Sequence, residues 1–279
     1  MKRIATIQDI SCLGKCSLTV ALPAISALGV ECCVVPTAVL STHTQFKNFT
    51  FRDLTEDLIP IKEHWEREKF TFDAIYTGYL GSDRQIDIAK SYFKAFKCLK
   101  IVDPAMADNG KLYVGFTREF ALNMATLCKE ADIIVPNLTE AAFMLDEPYI
   151  GDKKYSEKDI KEILKKLCNL GAKIAILTGV SFEKGKIGVM ALNSETGKYF
   201  KYFNEKVDAS FHGTGDLFAS VMTGALVRDV SLEKSLKLAA DFTRDAIELT
   251  LKEIGKNAYG VVFEELMPEL TKKITKLCK

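Results

Sequence analysis

The first 40 residues read as strand, turn, helix and strand, and that order restricts the fold more than any other feature of the sequence. Residues 3–8 (Arg-Ile-Ala-Thr-Ile-Gln) are a short buried-strand pattern, and residues 9–16 have the composition of a turn. Residues 17–28 make a mostly apolar helix stopped by Gly29. Residues 31–40 form a second strand, rich in Val and Cys. Two strands joined through a helix run parallel, which sets the character of the sheet at once.

The pattern then repeats. Strands are expected at 73–77, 99–102, 133–135 and 173–177, with helices at 53–70, 82–96, 117–128, 137–145 and 156–170. Pro60 is expected to break the first of these helices, and Trp65 to pack rather than bind. Residues 187–193 and 199–203 flank Ser194-Glu-Thr-Gly197 and read as a hairpin, so the sheet turns partly antiparallel there. Helices at 231–254 and 263–277 close the chain. No internal repeat, low-complexity tract or linker divides it. The expectation is one domain over residues 1–279, a three-layer α/β/α sandwich around a mostly parallel central sheet.

Such a sheet needs a large core, which 48% hydrophobic against 27% charged residues can supply. Lys and Arg number 38 against 37 Asp and Glu, and a net charge of +1 argues against a nucleic-acid surface. With no basic leader and no apolar run near about 18 residues, a soluble cytoplasmic protein without a membrane partner is expected. Eight cysteines form no C-x-x-C pair, and His43, His64 and His212 are scattered along the chain. Neither a disulfide framework nor a zinc site is expected.

The chemistry concentrates in Phe211-His-Gly-Thr-Gly-Asp-Leu-Phe, where two glycines flank a threonine at the start of a helical apolar pattern. Free N–H groups and the helix dipole favour an anion at Gly213, Thr214 and Gly215. Asp216 either stabilises that end of the dipole or serves as a base beside an anion hole. Other candidates stand where strands end, the place where open α/β sheets bind ligands. Ser41-Thr-His-Thr-Gln45 follows the second strand and contains Thr44 and Gln45, as ligand contacts or ordinary turn chemistry. Gly78-Tyr-Leu-Gly-Ser82 follows the third, with Tyr79 either packed or facing a ligand. Asp103-Pro104 ends the fourth. Asn137 and Glu140 fit a capping box, or a carboxamide and carboxylate around magnesium waters. Gly14-Lys-Cys-Ser17 brushes against a phosphate-binding P-loop and fails, because Asp9 stands for its first glycine and Cys16 for its hydroxyl.

In this order, T-H-T-Q-F, G-Y-L-G-S, D-P, P-N-L-T-E and G-T-G-D-L-F-A resemble the ribokinase-like superfamily, and within it the pyridoxal/pyridoxamine kinases. The resemblance covers essentially the whole chain, and five ordered motifs are more specific than any one. It implies ATP-dependent phosphorylation of the 5′-hydroxymethyl group of pyridoxal, pyridoxamine or pyridoxine, with Asp216 as base. The N–H groups from Gly213 through Thr214 and Gly215 to Asp216 would stabilise the transferring phosphoryl. Asp103 and Glu140, with Asn137, would organise Mg²⁺ and a monovalent cation such as K⁺ around ATP. Thr178 would touch the nucleotide, and Val207 would stand in its wall. Thr44 and Gln45 would meet the polar edge of the vitamer ring, and Tyr79 would lie over it. A homodimer is implied by resemblance only.

Two departures bear on the substrate. A serine commonly stands at the position of Asp9, and Asp9-Ile-Ser11 looks more like the opening of hydroxymethylpyrimidine kinases, whose glycine-rich continuation is absent. Those relatives tend towards G-T-G-C, so Asp216 favours the pyridoxal side. Asp9 would pair with the amine of pyridoxamine or the ring nitrogen. Hydroxymethylpyrimidine phosphorylation is the alternative, and a non-catalytic vitamer binder is the rival from another class.

Overall fold

A computed structural model of the chain describes residues 1–151 and 154–278. Strand β1 (Arg3–Leu13) leads through α1 (Leu18–Ala27) to β2 (Glu31–Thr42) and a short β3 (Phe51–Asp53). Two helix and strand alternations follow: α2 (Thr55–Arg67), β4 (Ala74–Thr77), α3 (Asp83–Ala95) and β5 (Leu99–Val102), then the small hairpin β6 (Ala107–Asp108) and β7 (Lys111–Leu112). Next come α4 (Arg118–Cys128), β8 (Ile133–Ile134), α5 (Leu138–Met144), α6 (Glu157–Asn169) and β9 (Ile174–Val180). The chain closes with β10 (Lys186–Asn193), β11 (Lys198–Glu205), α7 (Thr214–Val227), α8 (Leu232–Glu253) and α9 (Met267–Leu277).

Among the described residues, nine strands form one sheet in the order β11-β10-β9-β8-β5-β4-β1-β2-β3. The pairs from β2 through β1, β4, β5 and β8 to β9 are parallel, whereas β3, β10 and β11 join antiparallel. Both faces are covered, and the alternation of strand side chains divides the core in two. Ala5, Ile75, Val102, Ile134 and Leu177 pack with residues of α2 to α6. Ile4, Tyr76, Ile101, Ile133 and Ile176 pack with α1, α7, α8 and α9. This is the expected three-layer α/β/α sandwich, and its period-2 strands explain why both sides are apolar.

Three expectations need correction. Residues 9–13 are not a turn, because β1 continues through them and keeps its ladder with β2 as far as Leu13 and Thr42. The register slips between Gln8 and Ile10, so Asp9 stands opposite a bulge in β2, where Thr37 and Ala38 together face it. Pro60 does not break α2. It lies in the second turn on an exposed face, where the one lost hydrogen bond leaves a carbonyl open to water. The terminal helix begins at Met267 after a 3₁₀ turn, Glu264–Leu266, rather than at 263. Trp65 packs as expected, 5.0 Å from Phe72 between ring centroids. No helix among the described residues is long and apolar enough to cross a membrane.

Candidate active site

The candidate residues collect at the carboxyl edge of the parallel strands. Tyr79 follows β4, Asp103 follows β5, Asn137 follows β8, Thr178 lies near the end of β9 and Thr44 beyond β2. Backbone bonds carry the edge past the formal strand ends, from Asp103 N to Thr77 O (2.9 Å) and from Thr178 N to Pro136 O (3.0 Å).

Gly213 is the N-cap of α7, with φ 78°. A β-carbon there would stand 1.9 Å from the carbonyl oxygen of Lys15, so only glycine fits both the conformation and the approach. No side chain caps this helix; the Thr214 hydroxyl instead donates to Phe211 O at 3.1 Å. The first-turn N–H groups have no intrahelical acceptor by geometry, and a β-carbon added at Gly215 would meet nothing within 4 Å. Open space therefore lies at the positive end of the helix dipole, the arrangement that receives a phosphoryl group.

Asp216 is half-buried beside this opening, and its Oδ2 accepts from the Ser17 N–H at 2.9 Å. Desolvation pushes its pKa up to about 6, the Ser17 bond opposes the rise, and the nearby charge of Asp9 adds to it. A carboxylate so tuned is charged at neutral pH yet basic enough to accept a proton. The loop that supplies Ser17 is held in strained form, with Lys15 at φ 52° and Ser17 at φ 50°. Lys15 is tied down by Glu264 at 2.8 Å. Strain of this kind persists where the surroundings fix it, and here it aims one N–H at Asp216.

Asp9 is buried and accepts a hydrogen bond from Ser11 Oγ at 3.2 Å. Burial raises its pKa, against the hydroxyls of Ser17 and Ser11. Its charge reaches Tyr79, whose hydroxyl is pushed up to about 12 by burial and then by Asp9. Cys16 is likewise pushed up to about 12, by burial and then by Asp216, which keeps a neutral thiol beside the acids. Tyr79 stacks on Phe116 (centroids 5.4 Å), which stacks on Phe120 (4.1 Å).

A second acidic group adjoins the first. Asp103 and Glu140 are both buried, and burial raises the pKa of each. Asp103 is raised further by Glu140 and Asp216. Glu140 uses one oxygen for Met106 N (3.1 Å) and the other for Asn137 N (2.8 Å). Asn137 accepts from Thr139 and Glu140 N–H groups and donates to Ala107 O, so the capping-box reading of this pair is realised. Among the described residues no group of three or more His, Cys, Asp or Glu could hold a metal ion by itself. Two crowded carboxylates short of positive charge do fit Mg²⁺ that keeps its waters and is shared with phosphates. Thr178 lies against Asn137 through an isolated parallel bridge.

The charge crowding has a measurable consequence. Asp103 binds its proton more tightly folded than unfolded, so its favourable contribution is complete near pH 4 and is lost as pH rises. Asp103→Asn keeps the oxygen that accepts from Ala105 N and removes the charge. In the protein without Mg²⁺, we expect a higher melting temperature at pH 8 than wild type and none of that gain at pH 4. Each kcal/mol relieved corresponds to roughly 2–4 °C for a chain of this size. Equal shifts at both pH values would show that the carboxylate is not under repulsion.

Other candidates are looser. Thr44 and Gln45 lie exposed on the turn after β2. Val207 lies in the segment that borders an open cavity of about 370 Å³ lined by Lys206, Asp208, Ala209, Ser210 and Lys256. The histidines, by contrast, are not all scattered. His43 is buried and stacks on His212 with centroids 4.6 Å apart, joining T-H-T-Q to the H-G-T-G-D turn. Gln45 N donates to His43 Nδ1 at 3.3 Å, so Nε2 carries the proton that is donated to Tyr259 O at 2.8 Å. Two of three histidines beside two candidate motifs were the available signal. Ser17, Cys16 and Phe116 carry none that spacing could reveal.

A sequence profile described as phosphomethylpyrimidine kinase matches residues 19–262. A Bacteroides thetaiotaomicron protein assigned to the phosphomethylpyrimidine kinases is 40% identical, with 96% of this chain and 93% of that one covered and a TM-score of 0.92. Its orthorhombic form was solved with pyridoxal. Pyridoxal kinase of Lactobacillus plantarum is 29% identical over 98% of this chain and 97% of that one, with a TM-score of 0.87. Among characterised sequences, pyridoxal kinase of Arabidopsis thaliana is 24% identical over 92% of this chain and 85% of its own length. The Bacillus subtilis hydroxymethylpyrimidine/phosphomethylpyrimidine kinase is 26% identical over 89% and 83%. The motifs, the fold and the profile agree, and the chain belongs to the phosphomethylpyrimidine kinase family, on a ribokinase-like fold shared with pyridoxal kinases.

Proposed function

We propose that this protein is an ATP-dependent kinase of vitamin B6 vitamers, phosphorylating the 5′-hydroxymethyl group of pyridoxal, pyridoxamine or pyridoxine. The observation that carries the reading is Asp216, with a pKa of about 6, beside the open N-terminus of α7. A carboxylate there takes the hydroxyl proton as the oxygen forms its bond to the γ-phosphorus and the bond from that phosphorus to the β-phosphate oxygen breaks. The N–H groups of Gly213 to Asp216 meet the charge on the transferring group. Such catalysis rests on positioning and electrostatics.

Asp103, which accepts from Ala105 N, and Glu140, oriented by the Asn137 and Met106 N–H groups, would hold Mg²⁺, with a monovalent cation such as K⁺ nearby. The metal supplies charge neutralisation for the ATP phosphates. Thr178 contacts the nucleotide and Val207 stands in its wall. Tyr79, backed by Phe116, covers the vitamer ring, and Thr44 and Gln45 meet its polar edge. The protein acts as one domain over residues 1–279, in the cytoplasm and as a homodimer. The 40% identical relative solved with pyridoxal supports the substrate class.

Product analysis tests the reading. Incubated with Mg-ATP and pyridoxal, the purified protein is expected to yield ADP and one vitamer phosphorylated at the 5′ oxygen, seen by mass and ³¹P resonance. Vitamer bound but never phosphorylated would instead support a non-catalytic binder.

Asp9 sets the preference among vitamers. A buried carboxylate favours a cationic partner, so it pairs with the pyridoxamine amine or the protonated ring nitrogen. Asp9→Ser is expected to lower kcat/KM for pyridoxamine about 10-fold or more relative to pyridoxal, the loss of one charged hydrogen bond. An unchanged ratio would remove Asp9 from substrate selection.

A further inference from the structure

Helix α7 is apolar on nearly every side, yet Asp216, Ser220 and Thr223 recur on one face at i, i+4 and i+7. Ser220 and Thr223 are fully buried, and neither side-chain oxygen has a hydrogen-bond partner. Buried helical hydroxyls normally bond back to the carbonyl one turn earlier. Buried Thr250 of α8 does, to Ala246 O at 2.6 Å, whereas the Thr243 oxygen of the same helix has no partner. Those of α7 do not, although it is the helix that carries the candidate base.

The sheet opposite repeats the anomaly. Tyr76 of β4 and Gln8 of β1 sit on the α7 side of their strands and are fully buried. Gln8 Nε2 donates to Thr6 Oγ1 at 2.7 Å, which leaves Oε1 unpaired. The Tyr76 hydroxyl faces Ser220 and Gln8 without a hydrogen bond of adequate geometry to either. Three elements thus send unpaired oxygens to one place inside the core. Leaving each of them bare costs about 1–3 kcal/mol. Two hydroxyls that can donate or accept and one carbonyl that accepts match the valence of a single water, which needs two to four polar partners. No charged side chain belongs to the set, so a cation is disfavoured. Asp103 and Asp216 lie within electrostatic range of the Tyr76 hydroxyl, which places this seam beneath the site.

We propose that Gln8, Tyr76 and Ser220 enclose a binding site for one internal water molecule, which ties the first turns of α7 to β1 and β4 and positions Asp216. Ser220 lies one helical turn below Asp216, so a bridge at Ser220 fixes the depth and rotation at which the carboxylate is presented. These three are positioning residues and touch no substrate.

A high-resolution crystal structure of the full chain tests the site without reference to activity. Water density about 2.7–3.2 Å from Gln8 Oε1, Tyr76 Oη and Ser220 Oγ is expected. A seam closed by direct hydrogen bonds among the three, or empty of density, would overturn the proposal. The positioning role rests on the kinase reading. For it, Tyr76→Phe and Ser220→Ala are each expected to lower kcat about 10-fold with KM for vitamer and ATP within twofold, the signature of a misplaced group. A lower melting temperature with kcat unchanged would reduce the seam to packing and refute the positioning role. Should wild type phosphorylate no vitamer, the kinase reading fails, and the density alone still decides the water site.

Discussion

Asp216→Asn is expected to lower kcat by about 10²–10⁴-fold, the range that a positioned general base contributes, with KM changed only a few-fold. Asparagine has the same outline and keeps an oxygen for the Ser17 N–H, so the loop and the first turn of α7 should stay in place. What it lacks is a site for the proton. The pH dependence isolates that loss. With a pKa of about 6, raised first by burial and then by Asp9, the wild-type carboxylate is charged at neutral pH. Its kcat/KM should therefore fall about tenfold per unit below pH 6, the limit for one essential ionisation. The residual activity of the mutant should lack that limb. Steady-state rates between about pH 5 and 9 measure both. A mutant with more than a tenth of wild-type activity would mean that another group, or solvent, takes the proton.

Gly213→Ala is expected to have the second-largest effect, and it acts through structure. The residue combines φ 78° with a β-carbon position 1.9 Å from Lys15 O. The left-handed conformation alone costs an alanine about 1 kcal/mol. The overlap is with backbone, so it cannot be relieved by turning a side chain. Either α7 or the loop from Gly14 to Ser17 must move, and that loop already carries strain at Lys15 and Ser17. A loss of about 3 kcal/mol is expected, a fall of roughly 6–12 °C in melting temperature at this chain length. Activity should fall further than the unfolded fraction explains, because the same movement withdraws the Ser17 N–H from Asp216. Thermal unfolding and kcat at 20 °C below the midpoint check the two parts. A variant with native stability would show that the loop yields freely.

Most of the architecture was legible because its causes are local. Apolar runs alternating with amphipathic helices fixed the parallel core, and Ser82 caps α3 as its position implies, accepting from Gln85 N. The parts that were not legible depend on partners distant in sequence. Residues 9–13 look like a turn by composition and become strand only because β2 extends beside them as far as Thr42. Pro60 looks like a break until its surface position is known. The edge strand β3 has three exposed residues and no period of its own.

The candidate site divides in the same way. Asp103, Asn137, Glu140 and Asp216 stand in motifs that end strands or start helices, so their neighbourhood could be read from the chain. The Asn137 and Glu140 pair shows that a capping box and a polar site are compatible, since the cap is what orients both groups. Ser17 bonds to Asp216 from 199 positions away, and His43 reaches Tyr259 across 216. No spacing rule encodes such contacts. They follow from which strand ends the sheet order places side by side.

The most direct test of the substrate assignment is a parallel measurement of kcat/KM with Mg-ATP and K⁺ for pyridoxal, pyridoxamine, pyridoxine and hydroxymethylpyrimidine. The account predicts ATP consumption with at least one B6 vitamer at a higher specificity constant than with hydroxymethylpyrimidine, abolished in Asp216→Asn. Turnover of hydroxymethylpyrimidine alone would contradict it and would make Asp9 a pyrimidine-reading residue.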